Sequence, residues 1–228
     1  MKAWIEEDNI NYEYIIRYLR DTIPQSEGHI AEMERFAKEN DVPISQPESI
    51  RLMEVLLKIA GAKRVLELGT AIGYSAIRMT NACGAEIVTV ELSEEMADEA
   101  EKNFERAGVT EKVTLIRGDA RQVVAQFQEK EAFDVIFVDA AKGQYMEFFE
   151  HCDRLLKKGG ILVSDNVLYK GMTATDELVV RRKITIVRRL RKYLEMLKEN
   201  KNYSTALLPI GDGVAISFKE MKTDDSAK

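Results

Sequence analysis

Two histidines and two cysteines are the only imidazoles and thiols in this 228-residue chain, and each scarcity removes a class of chemistry. His29 and His151 have no second ligand near them in sequence, which argues against a histidine-based zinc site or a Ser-His-Asp hydrolase. Any metal would have to be held by oxygen. Cys83 and Cys152 are too few and too far apart for a disulfide framework or a close-spaced zinc or redox pair, and read as small buried hydrophobes in a reducing compartment. No apolar run approaches the roughly 18 residues of a membrane span, and the opening MKAWIEEDNINYEY lacks the basic start and apolar run of a secretory signal. A cytoplasmic protein without a membrane partner is expected. Positive charge is not in excess either: 33 Lys and Arg against 39 Asp and Glu leave a net charge of −6, which excludes indiscriminate binding of polyanions such as DNA.

What is present is the balance of one globular domain, 45% hydrophobic and 32% charged, without repeats or low-complexity tracts. Residues 1–60 read as a helical cap, 61–220 as an α/β core and 221–228 as a frayed tail. In the cap, Tyr14, Ile15, Tyr18 and Leu19 recur at helical spacing, and Ile30, Met33, Phe36 and Ala37 do so again after a break at Pro24 to Gly28. Ser49 to Ala60 predicts a third helix, ended by Gly61. Five β-branched runs follow, at 64–68, 86–91, 113–117, 133–138 and 160–164, separated by helical stretches such as Glu94 to Ala107. That alternation specifies parallel strands joined by right-handed crossovers, with helices on both faces. Residues 206–218 read as a hairpin about Gly211-Asp212-Gly213. The expected fold is therefore α/β, with a central, mostly parallel seven-stranded sheet and an antiparallel edge hairpin.

In such a sheet, ligands bind beyond the carboxyl ends of the strands. The first run leads into Glu67-Leu68-Gly69-Thr70-Ala71-Ile72-Gly73-Tyr74-Ser75, a glycine-punctuated turn that lets backbone approach a ligand before a helix begins. The second ends in Glu91, 22 positions after Gly69, where an acid can accept both hydroxyl hydrogens of a ribose. The third is followed by Gly118-Asp119-Ala120, whose acid can receive an exocyclic amine while its neighbours flank a flat base. A dinucleotide site wants G-x-G-x-x-G. Here Ala71 holds the middle position and no third glycine follows, so the set favours S-adenosylmethionine over a dinucleotide; a tight turn with no ligand is the plainer alternative.

The fourth run leads into Asp139-Ala140-Ala141-Lys142 and the fifth into Asp165-Asn166. If those strands are neighbours, Asp139, Asp165 and Asn166 converge, and two carboxylates with an amide oxygen suit Mg²⁺, with Mn²⁺ or Ca²⁺ as substitutes. The bland alternative is that each Asp caps the next helix. Lys142, three residues past Asp139, fits a general base beside a dication or, equally, a solvated loop lysine.

Read together, residues 67–75, 88–91, 118–120, 138–142, 164–168 and 209–213 resemble the motifs of the cation-dependent O-methyltransferases of the catechol and caffeoyl-coenzyme A type. These form a branch of the class I, Rossmann-like S-adenosylmethionine-dependent methyltransferases, and the likeness runs from about Ile44 to Phe218. It implies that Tyr74 and Ser75 face the methionine part of the cofactor, with Glu67 and Gly69 in the same loop. Glu91 would then meet the ribose and Asp119 and Ala120 the adenine, while Ile44 lies in a leading segment over the cofactor. Asp139, Asp165 and Asn166 match metal ligands, Asp139 also bordering the cofactor, and Lys142 with Asp139 forms the catalytic pair. Two departures stand out: Ala71 replaces a common glycine, and Tyr169 stands where many relatives carry Trp beside the acceptor pocket. Within this branch the chain resembles bacterial enzymes that methylate the 5-hydroxyl of 5-hydroxyuridine at the anticodon wobble position of tRNA, giving 5-methoxyuridine. A 5-hydroxyl beside a 4-carbonyl is a vicinal oxygen pair that can chelate Mg²⁺ as a catechol does; a small catechol-like diol is the alternative acceptor. The N-terminal helices and the family habit imply a homodimer.

Regional charge adds to this. Residues 178–201 hold nine basic and two acidic side chains, a local +7 that leaves −13 on the remainder. On a helical wheel Val180, Ile184, Val187, Leu190 and Leu194 form an apolar arc, with Arg181, Arg182, Arg188, Arg189 and Lys192 opposite. Such a cationic stripe suits the phosphates of a tRNA anticodon loop, or is simply a solvated face.

Overall fold

The computed structural model describes residues 10–221. The beginning of the helical cap and most of the expected tail lie outside the described residues. Within the cap, α1 (Glu13–Asp21), α2 (Gly28–Glu39) and α3 (Pro47–Ala60) form as the spacing predicts. Helix α3 starts two residues earlier than expected because Pro47 sits in its first turn, where a fixed φ fits and no amide hydrogen is needed. It stops at Gly61, whose φ of +59° closes the helix.

The alternating runs become β1 (Arg64–Leu68), α4 (Tyr74–Cys83), β2 (Glu86–Glu91), α5 (Glu94–Ala107), β3 (Val113–Arg117), α6 (Ala120–Gln126), β4 (Phe133–Val138), α7 (Tyr145–Leu155) and β5 (Leu156–Ser164). After α8 (Ile184–Glu199) come β6 (Tyr203–Leu208) and β7 (Val214–Lys219). The sheet order is β3-β2-β1-β4-β5-β7-β6, parallel through β5 and antiparallel for the last pair. Strand β5 begins four residues before the expected Gly160, because Leu156 pairs with Phe133 across a bulge. The hairpin forms, but its second strand lies against β5 and its first becomes the edge.

Strands β1 to β5 and β7 each feed two cores, as the two-residue period of a strand requires, while the edge strand β6 adds only Tyr203 to one of them. On β1, Val65 packs with Met53 and Leu57 of α3 and Ile77 of α4 on one face. Leu66 and Leu68 pack with Phe148 and Leu155 of α7 and Leu190 of α8 on the other. Helix α8 departs from the predicted wheel. Arg181–Lys183 form a separate 3-10 turn, Val180 is 48% exposed, and Ile184 and Leu194 are only half-buried. The buried face is Val187, Leu190, Tyr193 and Leu197. Tyr193 sets this rotation: its hydroxyl lies 2.6 Å from Ser164 Oγ and its ring meets the Tyr145 ring edge-on at 5.5 Å. Among the described residues no helix is long and apolar enough to cross a membrane.

Candidate active site

The loops after the five parallel strands are tied into one rim by continuing the sheet's hydrogen-bond ladder past its end. The amide of Gly118 donates to the Glu91 carbonyl at 2.7 Å, Gly69 to Val90 at 3.1 Å, Asp139 to Leu68 at 2.9 Å and Asp165 to Val138 at 3.0 Å. Gly69, Gly118, Asp139 and Asp165 are therefore fixed at the start of their loops by backbone, whatever the side chains do. Between the loops opens a cleft of about 570 Å³ bordered by Ile44, Gly69, Glu91, Asp119, Lys142 and Asp165, among others.

At the glycine end, Gly69 has φ +106° and packs so tightly on the Asp139 backbone that a Cβ would overlap the carbonyl oxygen. Gly73, at φ +83°, abuts the Phe104 ring. Ala71 takes the left-handed conformation at φ +46°, the sterically costly one for a residue with a Cβ. The Ala71 amide donates to Glu91 Oε2 and the Ser93 amide to Glu91 Oε1, both at 2.8 Å, which orients the acid into the cleft rim. Glu67 is fully buried and accepts from Ser75 Oγ and, at 2.6 Å, from Thr89 Oγ1; burial pushes its pKa up to about 8. Tyr74 borders the cleft, yet its hydroxyl is turned away, donating to Glu34 Oε1 at 2.8 Å and accepting from Arg78. Asp119 caps α6 and holds Arg121 through its amide and guanidinium, which keeps the carboxyl below its ordinary pKa. A base would have to share that carboxylate with Arg121, whereas neither Asp139 nor Asp165, for which capping was the alternative, caps the helix that follows it. Ala120 lies beside it in the lining.

At the carboxylate end, the neighbouring strands are paired Val138 to Ser164, which brings Asp139 and Asp165 together as expected. Burial and then Asp139's charge hold the Asp165 carboxyl well above the ordinary carboxylate range. Asp139 is raised by burial, opposed by the charge of Lys142 and a 3.3 Å hydrogen bond from Ser45 Oγ. Asn166 follows at φ +55°, with its amide donating to Asp165 Oδ1 at 2.6 Å. Lys142 opens a 3-10 turn, Lys142–Gln144, whose closing bond runs from the Gln144 amide to the Ala141 carbonyl at 2.9 Å.

Several contributors have no readable signal in sequence. Ser45 reaches Asp139 across 94 positions, and Tyr145 donates to the Asp165 carbonyl at 2.8 Å from within the core. Asp212 faces Asp165 and receives the Lys170 amide, while the Leu168 amide donates to the Asp212 carbonyl at 3.0 Å. The 209–213 loop, singled out by its motif, thereby pins a segment in which Asn166, Tyr169 and Lys170 are all left-handed. Tyr169 is 8% exposed and packs in the core, with Lys183 Nζ 5.7 Å from its ring centre.

The five predicted cations separate into two kinds. Arg181, Arg182, Arg188 and Lys192 are exposed. Arg189 is exposed too, but Nη1 donates to the Gly143 carbonyl at 3.1 Å. Among the described residues no group of three His, Cys, Asp or Glu converges on a metal-sized space, so the third protein ligand of any cation would have to be an amide such as Asn166.

The family model described as O-methyltransferase matches residues 25–220. The chain belongs to the O-methyltransferase family. Among curated relatives it is 32% identical to a catechol O-methyltransferase of Niastella koreensis, with 72% of this chain and 77% of that one aligned. Among solved structures this O-methyltransferase superposes on a Staphylococcus aureus protein assigned as a caffeoyl-CoA O-methyltransferase with a TM-score of 0.84. The two are 33% identical over 91% of this chain and 100% of the other. A Bacillus cereus O-methyltransferase, solved in complex with SAH, matches with a TM-score of 0.80 and 27% identity over 91% and 97% of the two chains.

Proposed function

We propose that this O-methyltransferase moves a methyl group from S-adenosylmethionine to the 5-hydroxyl of 5-hydroxyuridine at the wobble position of tRNA, with Mg²⁺ or, as substitutes, Mn²⁺ or Ca²⁺. The observation that carries the RNA acceptor is the row of cations at 181–192 flanking the Lys142 turn, on a chain otherwise acidic. Phosphates would bind there and leave a splayed loop base to enter the cleft.

The cofactor reading is supported by the SAH complex of the Bacillus cereus relative and by the rim geometry. Glu91 would accept ribose hydroxyls with the lone pairs its two amide donors leave free, and Ala120 would flank the adenine. Asp119 would bind the exocyclic amine in competition with Arg121. Glu67, neutral at pH 7 when the cleft is empty, would gain charge opposite the ammonium of the methionine part, through Ser75 or directly. Ile44 and Ser45 would exclude water from above.

The donor set fits a hard cation: the buried Asp165 carboxylate, whose proton affinity Asp139 raises, the half-buried Asp139 carboxylate beside it and one amide, all oxygen. Asp139, Asp165 and Asn166 would hold it. When bound, it lowers the pKa of a vicinal hydroxyl and screens the oxyanion. Lys142 Nζ, as the neutral amine, would take up the hydroxyl proton and become the ammonium, and its turn keeps it on the cleft side of Asp139. Rim residues fixed by backbone hold the two substrates in line, which removes much of the entropic barrier to a bimolecular step.

The test is incubation with labelled S-adenosylmethionine, Mg²⁺ and bulk bacterial tRNA, followed by nucleoside separation. Label in 5-methoxyuridine is expected; label accepted by a catechol but not by tRNA overturns the RNA reading. A small catechol-like diol is the second reading, favoured by the Niastella koreensis relative. A tRNA acceptor places the reaction in the cytoplasm. For the homodimer, support comes from exposed apolar side chains on the cap, Tyr14 and Tyr18 on α1 and Ile59 on α3.

A further inference from the structure

Among the five cations expected to meet RNA, Arg181, Arg182, Arg188, Arg189 and Lys192, Arg189 differs in having an internal acceptor. Its Nη1 donates to the carbonyl of Gly143, the residue next to Lys142, and a Cβ built on Gly143 would lie 3.7 Å from Nη1 and 3.9 Å from Ile186 Cγ1. The 3-10 turn therefore rests directly on α8. A bond from the Gln144 amide to the Ala141 carbonyl closes that turn, which runs directly into α7 at Tyr145. A guanidinium carries five N–H donors in a rigid fork, and one carbonyl occupies one of them. The remaining donors of this exposed side chain are available to a phosphate at the same time.

We propose that Arg189 is a positioning residue that couples substrate docking to the Lys142 turn: a phosphate of the bound acceptor orients the guanidinium, which in turn holds the Gly143 carbonyl and so fixes where Lys142 stands. The inference rests on the tRNA reading above. Arg188, one position away and without an internal acceptor, is the internal comparison, since it can contribute attraction but not placement. Lysine at 189 would keep the attraction while losing the planar fork that serves two acceptors at once.

The experiment combines kinetics on tRNA with hydrogen exchange at the Gln144 amide, which reports the turn without requiring turnover. Without RNA, R189A is expected to raise Gln144 exchange over wild type and R188A is not; equal exchange in R189A and wild type overturns the coupling whatever the substrate is. With tRNA, R188A should raise KM with kcat retained, whereas R189A should also lower kcat about ten-fold, the size of one well-made hydrogen bond in the transition state. R189K should recover KM but not kcat; recovery of both means that Arg189 acts through charge alone and overturns the proposal. If wild type methylates no tRNA, the RNA reading fails on that result, while the exchange comparison still decides whether Arg189 holds the turn.

Discussion

Gly69 and Asp139 touch through their backbones. The loop that would receive the cofactor and the loop that carries the first carboxylate are thus one packed unit, held where a side chain at 69 would meet the Asp139 carbonyl oxygen and where φ is +106°. Both facts act on the same substitution. Gly69→Ala should lower stability by at least about 2 kcal/mol, from overpacking and from the left-handed backbone together. Urea unfolding checks this, and a midpoint within error of wild type would contradict the packing.

Asp139 and Asp165 predict an opposition between stability and function. Asp165, buried beside the half-buried Asp139, destabilises the metal-free protein, so Asp165→Asn should raise its stability by about 1 kcal/mol while abolishing the rise in Tm on adding Mg²⁺. Calorimetry with and without Mg²⁺ measures both. EDTA should stop methyl transfer by the wild-type protein, with Mg²⁺ restoring it; turnover untouched by EDTA would remove the metal from the reaction.

Glu67 gives a pH dependence with a definite sign. Its pKa is about 8 in the fold against the ordinary 4.5 of a glutamate in the unfolded chain, so the fold binds the proton more tightly. The stability this contributes is fully present below about pH 4.5 and is lost as pH rises toward 8. Glu67→Gln has no such proton to lose. Its stability relative to wild type should therefore improve across that window, with a slope of at most about 1.4 kcal/mol per pH unit. Urea midpoints at pH 6 and pH 8 for both proteins test this.

Lys142→Ala should lower kcat by about two to four orders of magnitude, the usual worth of a positioned base, while leaving S-adenosylmethionine affinity within a few-fold. Single-turnover rates alongside calorimetric cofactor binding separate the two. Equal losses in both would make Lys142 a binding residue.

The cations without internal partners should appear in the salt dependence. Replacing both Arg188 and Lys192 by Ala should reduce the slope of log K against log salt for tRNA by about 1.4, roughly 0.7 for each phosphate contact to a single strand. An unchanged slope would leave this face solvated and nothing more.

How much of this was legible in the residues follows from how local each signal is. The five parallel strands, the helices between them and the two acids at neighbouring strand ends come from β-branched runs, glycine turns and the crossover rule, all read within about thirty residues. The packing of β7 rather than β6 against β5 was not legible, because either strand of a hairpin could satisfy the same pattern and only the match of Ser164 with Ala215 decides. The rotation of α8 was missed for a related reason: Tyr193 looks amphipathic in a wheel, and only Ser164 and Tyr145, distant in sequence, make it a core residue. The family resemblance placed Tyr74 toward the cofactor, while Glu34 of α2 and Arg78, one turn along its own helix, claim its hydroxyl. At the site, identities were readable and partners were not: Arg121 on Asp119, Ser45 on Asp139 and Gly143 under Arg189 are all long-range or conformational facts.

The insertion of β7 between β5 and β6 bears on how the molecule is made. During synthesis, every strand from β1 to β5 can join the sheet as it emerges, but β5 lacks its second neighbour until Val214–Lys219 has been translated. The residues just before it, Ile210 to Gly213, are the ones that pin the Asn166 to Lys170 segment. A nascent chain thus assembles its glycine rim early and its carboxylate rim last, with β6 released ahead of the strand that must slot in beside it. Ribosome-stalled chains ending before residue 209 should hold a folded glycine rim and an open carboxylate one.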